Sequence, residues 1–156
     1  MATKKMAIIA TKGTLDMAYP PLILASTAAA LGWEVQIFFT FYGLQLLRKD
    51  LSGIAIRPLA NPAMPMPVPM PVIVSVLPGM QAMATSMMKA KMKKKGVASL
   101  TELRDLCQEA EVKFIACQMT VDLFEFEKSD FIDGIEYGGA ATFMKFAGET
   151  DVCLFI

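Results

Sequence analysis

Residues 6–40 read MAIIATKGTLDMAYPPLILASTAAALGWEVQIFFT, and this stretch decides the fold class. It opens with a short apolar run, 6–10, typical of a buried strand, and closes with 34–40, whose β-branched and aromatic residues indicate another strand. Between them the Ala- and Leu-rich segment 15–31 ends at Gly32, which suits the left-handed position after a helix. A strand, a helix and a strand of these lengths predict a βαβ unit with parallel strands.

The remaining elements continue this alternation along the chain. Apolar runs predict strands over 113–116 and 152–156, and periodic apolar residues predict helices over 42–49, 79–95 and 100–111. Ser99 and Glu102 form a capping box before the last of these helices. Pro20 and Pro21 are tolerated in a first helical turn, so the first regular helix is expected to begin at Pro20. The pattern predicts an α/β fold of three layers, with a mainly parallel sheet and helices on both faces.

Length, charge and composition exclude several classes of protein. The 156 residues, of 17.0 kDa, are the size of one domain, which we expect to span residues 1–156. Basic and acidic residues number 15 each, so no global field attracts nucleic acid. Histidine is absent from the sequence, which excludes a Ser-His-Asp triad, a Cys-His pair and the usual zinc site. Three cysteines without a C-x-x-C pair, and no secretory signal at the start, indicate a cytoplasmic setting.

A Met- and Pro-rich segment, at about residues 58–95, is inserted into this α/β pattern. Residues 58–78 hold seven of the nine prolines, and residues 64–92 hold eight of the 13 methionines. The proline spacing forbids a helix or a central strand over 62–71, so an extended loop is expected there. Its exposed Met and Val side chains require a covering surface.

The helix predicted after this loop is amphipathic and ends in a run of lysines. One face carries Met80, Met83 and Met87, and the lysines stand where the helix dipole favours cations. The apolar run 72–77 is far shorter than the roughly 20 residues that a membrane span requires. Residues 64–95 are therefore expected to pack against a second subunit, with peripheral contact to a membrane surface as the alternative.

Because histidine is absent, the candidate nucleophile is a cysteine. Two of the three cysteines are expected in the core. Cys107 repeats at helical spacing with Leu103 and Leu106, and Cys153 lies inside the last apolar strand. Free cysteine is among the most frequently buried residue types, so both are interpreted as structural.

Cys117 has a different position, because it directly follows the predicted strand 113–116. Parallel α/β sheets form their sites at the carboxyl ends of strands. The N–H groups of a helix beginning near Gln118 would stabilise a thiolate or persulfide anion, and Thr120 would add a hydroxyl donor. Asp122 acts in the opposite direction, since a nearby carboxylate raises the pKa of a thiol. Position alone leaves open whether Cys117 is reactive or structural.

Four stretches that together cover nearly the whole chain carry a resemblance to a known family. They are DMAYPPLILASTAAALGWEVQIFFTFYGLQLL (16–47), PAMPMPVPMPVIVSVLPGMQAMATSMMKAKMKKKGVASLTELRDLC (62–107), KFIACQMTVDLF (113–124) and DFIDGIEYGGAATF (130–143). The chain resembles the DsrE/DsrF/DsrH-like family, and within it the DsrE subgroup often labelled "peroxiredoxin family". The C-x-M-[ST] box of this subgroup matches Cys117, Met119 and Thr120. The resemblance implies a DsrE-like α/β fold and homo- or hetero-oligomers.

The resemblance also implies a role in sulfur trafficking, without a metal or an organic cofactor. Cys117 would accept sulfane sulfur, as persulfide or thiosulfonate, and pass it to TusA-like carriers or rhodaneses. Gln118, Met119 and Thr120 would bind the sulfur species, and such transfer would be a sulfurtransferase activity. Cys107 is the nearest second cysteine, and some members of the family are associated with membranes. Two other functions stay open: a non-enzymatic oligomeric scaffold or small-ligand binding module, and a thiol redox sensor.

Overall fold

A parallel sheet of five strands organises the described part of the chain, residues 2–56 and 76–156 of the computed structural model. The strands are β1 (Lys5–Ala10), β2 (Glu34–Phe39), β3 (Lys113–Cys117), β4 (Glu136–Gly138) and β5 (Val152–Phe155), and their order in the sheet is β4-β3-β2-β1-β5. The α-helices are α1 (Leu15–Ala30), α2 (Met80–Lys94), α3 (Leu100–Glu109), α4 (Gln118–Leu123) and α5 (Ala140–Ala147). Two 3-10 helices span Phe41–Leu47 and Lys128–Asp130. The extended loop expected over 62–71 lies outside the described residues.

The interior strand β1 is apolar on both faces because side chains pack on both faces of the sheet, and it pairs with β2 and β5. Ile8 pairs with Ile37 of β2 on one side and with Leu154 of β5 on the other. Strands buried on both faces read as continuous apolar runs, which is the pattern of residues 6–10. The predicted parallel βαβ unit is confirmed by the pairing of β1 with β2.

Helices cover both faces of the sheet, as the α/β pattern predicted. Alternate strand residues such as Ile37 and Phe114 pack in the larger core, which α1 and α3 close. Their neighbours Phe38 and Ile115 point to the opposite face and pack against Phe143 of α5. The predicted α/β fold class of three layers is therefore confirmed.

The helix α1 differs from the prediction, because it begins at Leu15 and runs through both prolines. Pro20 and Pro21 lack the N–H groups that would bond the preceding turn, which costs helix stability. Leu15 and Leu22 are buried on the same side of α1, and this burial offsets the missing hydrogen bonds. Gly32 has φ 80°, as expected for the left-handed residue after the helix.

The helix α3 begins at the predicted capping box. The Glu102 N–H donates to Ser99 Oγ at 3.2 Å, and the Ser99 N–H donates to Glu102 Oε2 at 2.6 Å. The expectation that Leu106 belongs to the core face was wrong, since its side chain is exposed. The buried side chains of α3 are instead Leu100, Leu103, Arg104 and Cys107.

The helix α2 lies within its predicted range, but its methionine face is not buried in this chain. Met83 and Met87 are exposed, and the buried side chain of the helix is Thr85. The Thr85 hydroxyl accepts a hydrogen bond from the Ile56 N–H at 3.0 Å. This contact fixes α2 to the segment that follows the 3-10 helix Phe41–Leu47.

Candidate functional site

Cys117 is the last residue of β3 and immediately precedes α4. Its backbone is extended, with φ −66° and ψ 109°. Because Cys117 ends a strand of a parallel sheet, it stands at the carboxyl edge of the sheet, where parallel α/β sheets place their sites. The strand therefore ends one residue later than predicted, at the cysteine itself.

The Cys117 side chain lies mostly out of solvent. It is 5% exposed and packs on the face of the sheet that α5 covers, among Phe38, Ile115 and Phe143. Because so little of Cys117 faces water, only small reactants can reach it unless neighbouring side chains move.

Hydrogen-bond donors make this buried thiol more acidic than an ordinary cysteine. Burial raises the pKa of Cys117. The Thr120 hydroxyl and N–H, the Thr40 hydroxyl and the Met119 N–H together lower it by more, so the net pKa lies below the usual value. Donors that favour the charged form of a group do so without any imidazole. The site can therefore hold a sulfur anion with uncharged groups alone.

Thr120 connects this site to the neighbouring strand. Its side chain is fully buried, its oxygen lies 3.2 Å from Thr40 Oγ1, and it accepts a hydrogen bond from the Phe41 N–H at 3.2 Å. Phe41 has φ 49°, a left-handed conformation that residues other than glycine seldom adopt. Strained backbone of this kind is typical of functional sites.

Thr40 is a site residue that the sequence reasoning missed. The register of β2 and β3 pairs Phe39 with Ala116, so the next residues of both strands, Thr40 and Cys117, are neighbours at the carboxyl edge. A hydroxyl residue directly after the second strand was the available signal. Its use required the sheet order, which places β2 beside β3.

The four residues predicted for the site do not all face the sulfur. Cys117 and Thr120 come together, and Met119 contributes its backbone N–H. The Met119 side chain is 58% exposed. Gln118 Nε2 donates to Asp122 Oδ1 at 2.7 Å, so these two side chains bind each other on the outer side of α4.

The other two cysteines differ from each other. Cys107 is fully buried, as predicted, and its thiol donates a hydrogen bond to the Leu22 carbonyl oxygen. Burial raises the pKa of Cys107 to about 12. The expectation that Cys153 lies in the core was wrong, because its side chain is exposed. It stands on β5, which among the described strands pairs with β1 alone, and the exposed Phe155 is on the same face.

Apolar side chains surround the site on the outside. Tyr42 is 65% exposed and Leu123 is 59% exposed, and Phe41 is exposed beside them. The rings of Phe41 and Tyr42 lie 6.4 Å and 5.8 Å from that of Phe124. We call Phe41, Tyr42, Met119, Leu123 and Phe124 the apolar rim.

Other features of the described residues lie apart from Cys117 or give no site. A groove of about 770 Å³ lies between α1, α2 and α3, lined by side chains such as Tyr19, Lys89 and Glu102. None of its lining residues belongs to the site at Cys117, and the lining holds no cysteine. Among residues 2–56 and 76–156, no three His, Cys, Asp or Glu side chains group as metal ligands. No helix in those ranges is long and apolar enough to cross a membrane.

Comparisons with known proteins agree with this fold. A family model described as the DsrE/DsrF/DrsH-like family matches residues 2–155. The chain is 68% identical over 160 residues, and over 100% of both chains, to a protein of Allochromatium vinosum named sulfur carrier protein DsrE2. It is 35% identical over 158 residues to uncharacterized protein YrkE of Bacillus subtilis, covering 99% of this chain and 98% of that one. The crystal structure of the ychN protein from E. coli matches with a TM-score of 0.61 over 99% of this chain and 100% of its own, at 12% identity, which shows the fold alone.

Proposed function

The chain belongs to the DsrE/DsrF/DrsH-like family, and from this we propose that it is a sulfur carrier that holds sulfane sulfur on Cys117. The relative from Allochromatium vinosum that bears the name of a sulfur carrier supports this role. The observation that carries the proposal is the position of Cys117 at the end of β3, beside Thr40 and Thr120, whose hydroxyls lower the pKa of Cys117 together with backbone N–H groups. The thiolate is the nucleophilic form of cysteine, so these donors prepare the residue for attack.

The transfer step is a thiol exchange at sulfur. The Cys117 thiolate attacks the outer sulfur of a persulfide donor, a Cys117 S–S bond forms, and the donor's S–S bond breaks. The donor leaves as a thiolate, which takes the proton released from the incoming sulfur. The new terminal sulfur carries the negative charge, and we propose that Thr120 and the Met119 N–H stabilise it. If the donor is a thiosulfonate, R–S–S–SO3⁻, the Cys117 thiolate attacks the sulfur bonded to the donor's cysteine sulfur. The donor's S–S bond breaks, the donor leaves as a thiolate, and the S–SO3⁻ group moves intact to Cys117 without release of sulfite.

The sulfur then passes to a partner protein that docks on the apolar rim. The exposed Tyr42, Met119 and Leu123 lie on the elements that carry Thr120 and Phe41, so a partner seated there reaches the sulfur. TusA-like carriers and rhodaneses are the partners we propose. We further propose that the chain forms homo-oligomers, and that its exposed methionines on α2 are covered by a second subunit or by peripheral contact with a membrane.

We propose that residues 1–156 act as a single domain in the cytoplasm. One hydrophobic core joins side chains of β1, α1, the 3-10 helix and α3, which supports a single folding unit. All three cysteines are free thiols, which fits a reducing compartment. A sulfurtransferase activity, with Cys117 as its nucleophile, is part of the same proposal.

Mass spectrometry of the intact protein tests the carrier role. The test uses Cys153→Ser protein, so that the exposed cysteine adds no sulfur, and incubation with polysulfide is expected to add sulfur atoms to it. Incubation with tetrathionate distinguishes thiosulfonate from persulfide by the mass gained. Cys117→Ser in the same background is expected to gain nothing. An equal gain in that variant would refute the assignment of Cys117.

One observation favours a second function, that of a non-enzymatic scaffold or binding module. Cys117 is 5% exposed, as a structural cysteine would be. Such a protein would keep Cys117 unmodified by a small alkylating reagent in the native state. Labelling of Cys117 within minutes at pH 8 would decide for the carrier. A redox sensor would instead form a disulfide after peroxide treatment, visible as a mobility shift on a non-reducing gel.

A further inference from the structure

Two threonine hydroxyls from different parts of the fold meet beside Cys117. Thr40 follows β2 and Thr120 lies in α4, and their oxygens are 3.2 Å apart. Thr40 is the neighbour of Cys117 across β2 and β3, Thr120 follows Cys117 in the first turn of α4, and both hydroxyls lower the pKa of Cys117. The Thr120 oxygen accepts a third contact, from the Phe41 N–H at 3.2 Å.

Counting hydrogens limits what these groups can do. Each hydroxyl has one hydrogen to donate and two lone pairs to accept with. One hydrogen is used between the two threonines, whichever of them donates, and the Phe41 N–H occupies one lone pair of Thr120. Exactly one of the two hydroxyl hydrogens therefore has no acceptor within the pair. If Thr40 donates to Thr120, the hydrogen of Thr120 is free, and in the reverse case that of Thr40 is free.

We infer that Thr40 and Thr120 form a redundant donor pair that presents one hydroxyl hydrogen to the Cys117 sulfur in either orientation. Thr40 is thereby a positioning residue for the sulfur chemistry, and this role rests on the proposed function of Cys117. The Phe41 N–H contributes by giving Thr120 a fixed donor, which keeps the Thr120 oxygen in place. Such hydrogen-bonded chains polarise each other and strengthen the final bond to the anion.

Redundancy predicts that the effects of replacing the two threonines on the pKa of Cys117 are not additive. In Thr40→Val, the Thr120 hydrogen loses its alternative acceptor and points to the sulfur. In Thr120→Val, the Thr40 hydrogen does the same. In the double variant no hydroxyl donor remains, and the sulfur anion keeps only the N–H groups of the backbone.

The pH dependence of alkylation measures this directly. Iodoacetamide reacts with the thiolate, and Cys153→Ser serves as the background so that Cys117 gives the signal. We expect each single valine variant to raise the pKa of Cys117 by less than about 0.5, and the double variant to raise it by about 1 or more. The double variant Thr40→Ser with Thr120→Ser retains both hydroxyls, so its Cys117 is expected to have the same pKa as in the background protein.

Additive effects of the two valine substitutions would overturn the redundant pair, as would an unchanged pKa in the double variant. Thr40→Ala with Thr120→Ala makes the same prediction with smaller side chains, so the test does not depend on one variant folding. Polysulfide loading of the background protein is measured separately. A pKa that follows the expected pattern in a protein that gains no sulfur would refute the carrier role and leave the donor pair standing.

Discussion

The thiol of Cys107 donates a hydrogen bond to the carbonyl oxygen of Leu22 at 3.3 Å, across the contact between α3 and α1. The bond gives this sulfur a structural task at a position without exposure to solvent. The pKa of Cys117, by contrast, is lowered by the Thr120 and Thr40 hydroxyls and by backbone N–H groups, which favour its anion. The two buried cysteines of the chain therefore differ in chemistry, because hydrogen-bond donors surround Cys117 and the thiol of Cys107 meets an acceptor.

The reactivity of the three cysteines should follow this difference. Under native conditions at pH 8, iodoacetamide is expected to modify Cys153 and Cys117, while Cys107 stays protected because burial keeps it a thiol. Peptide mapping by mass spectrometry after a time course gives the three rates. Denaturation in urea should make all three rates similar. Native labelling of Cys107 as fast as that of Cys117 would contradict the assignment.

Alkaline pH should destabilise the protein through Cys107. Unfolded Cys107 loses its proton above pH of about 8.5. Folded Cys107 keeps its proton up to a pKa of about 12. The unfolded state therefore binds fewer protons in this window, and stability falls as pH rises, by about 2 kcal/mol between pH 8.5 and 10.

Urea unfolding in a reducing buffer, at several pH values, checks this slope. Cys107→Ala is the comparison, because it removes this titration and retains those of the other groups. Its stability is expected to be lower near pH 7, where packing and the bond to Leu22 are lost. The gap to the wild type should narrow as pH rises, and a constant gap would show that Cys107 does not titrate as expected.

Gly43 should be sensitive to any added side chain. A Cβ at this position would collide with the carbonyl oxygen of Ala10, at the end of β1. Gly43→Ala is therefore expected to push the 3-10 helix away from the sheet and to cost about 1–3 kcal/mol of unfolding free energy. Because Phe41 belongs to the same helix, the alkylation pKa of Cys117 should also rise.

The matched control for Gly43 is Gly53→Ala, where an added Cβ meets open space. Urea unfolding of this variant should stay within about 0.5 kcal/mol of the wild type. Equal stability of the Gly43 and Gly53 variants would mean that the 3-10 helix does not approach β1 this closely.

Arg104 should stabilise the C-terminal end of the 3-10 helix Phe41–Leu47. Its side chain is 3% exposed, and Nη1 donates to the carbonyl oxygens of Leu46 at 3.0 Å and Arg48 at 2.6 Å. Arg104→Ala leaves these carbonyls without their donor, so a loss of about 3 kcal/mol is expected in urea unfolding. Glu109→Ala, an exposed change on α3, the helix that also carries Arg104, should cost less than about 0.5 kcal/mol. Similar losses in both variants would argue against this role.

Much of the fold follows from local sequence patterns. The apolar run before residue 11 and the aromatic run before residue 40 become β1 and β2, and Ser99 with Glu102 begins α3 as predicted. These elements are decided by periodicity and by capping, which act within a few residues. The family, and with it the fold class, could also be recognised from the quoted stretches.

Features that depend on distant parts of the chain could not be predicted in this way. The apolar pattern of residues 152–156 identifies a strand, but its place at the edge of the sheet, which exposes Cys153, is decided by pairing with β1. The three-residue strand β4 is too short to give a periodic signal. Thr40 joins the site only because β2 lies beside β3, and α1 passes through Pro20 only because burial elsewhere in the helix offsets the loss.

The pairing of β1 with β5 has a consequence for biosynthesis. A ribosome completes β1 first and β5 almost a whole chain length later, yet the two strands are neighbours. Throughout translation one side of β1 therefore presents unsatisfied main-chain groups in an apolar segment, the kind of edge that recruits chaperones or other nascent chains. Truncated messages that end before codon 152 would yield polypeptides in which this edge of β1 stays unpaired.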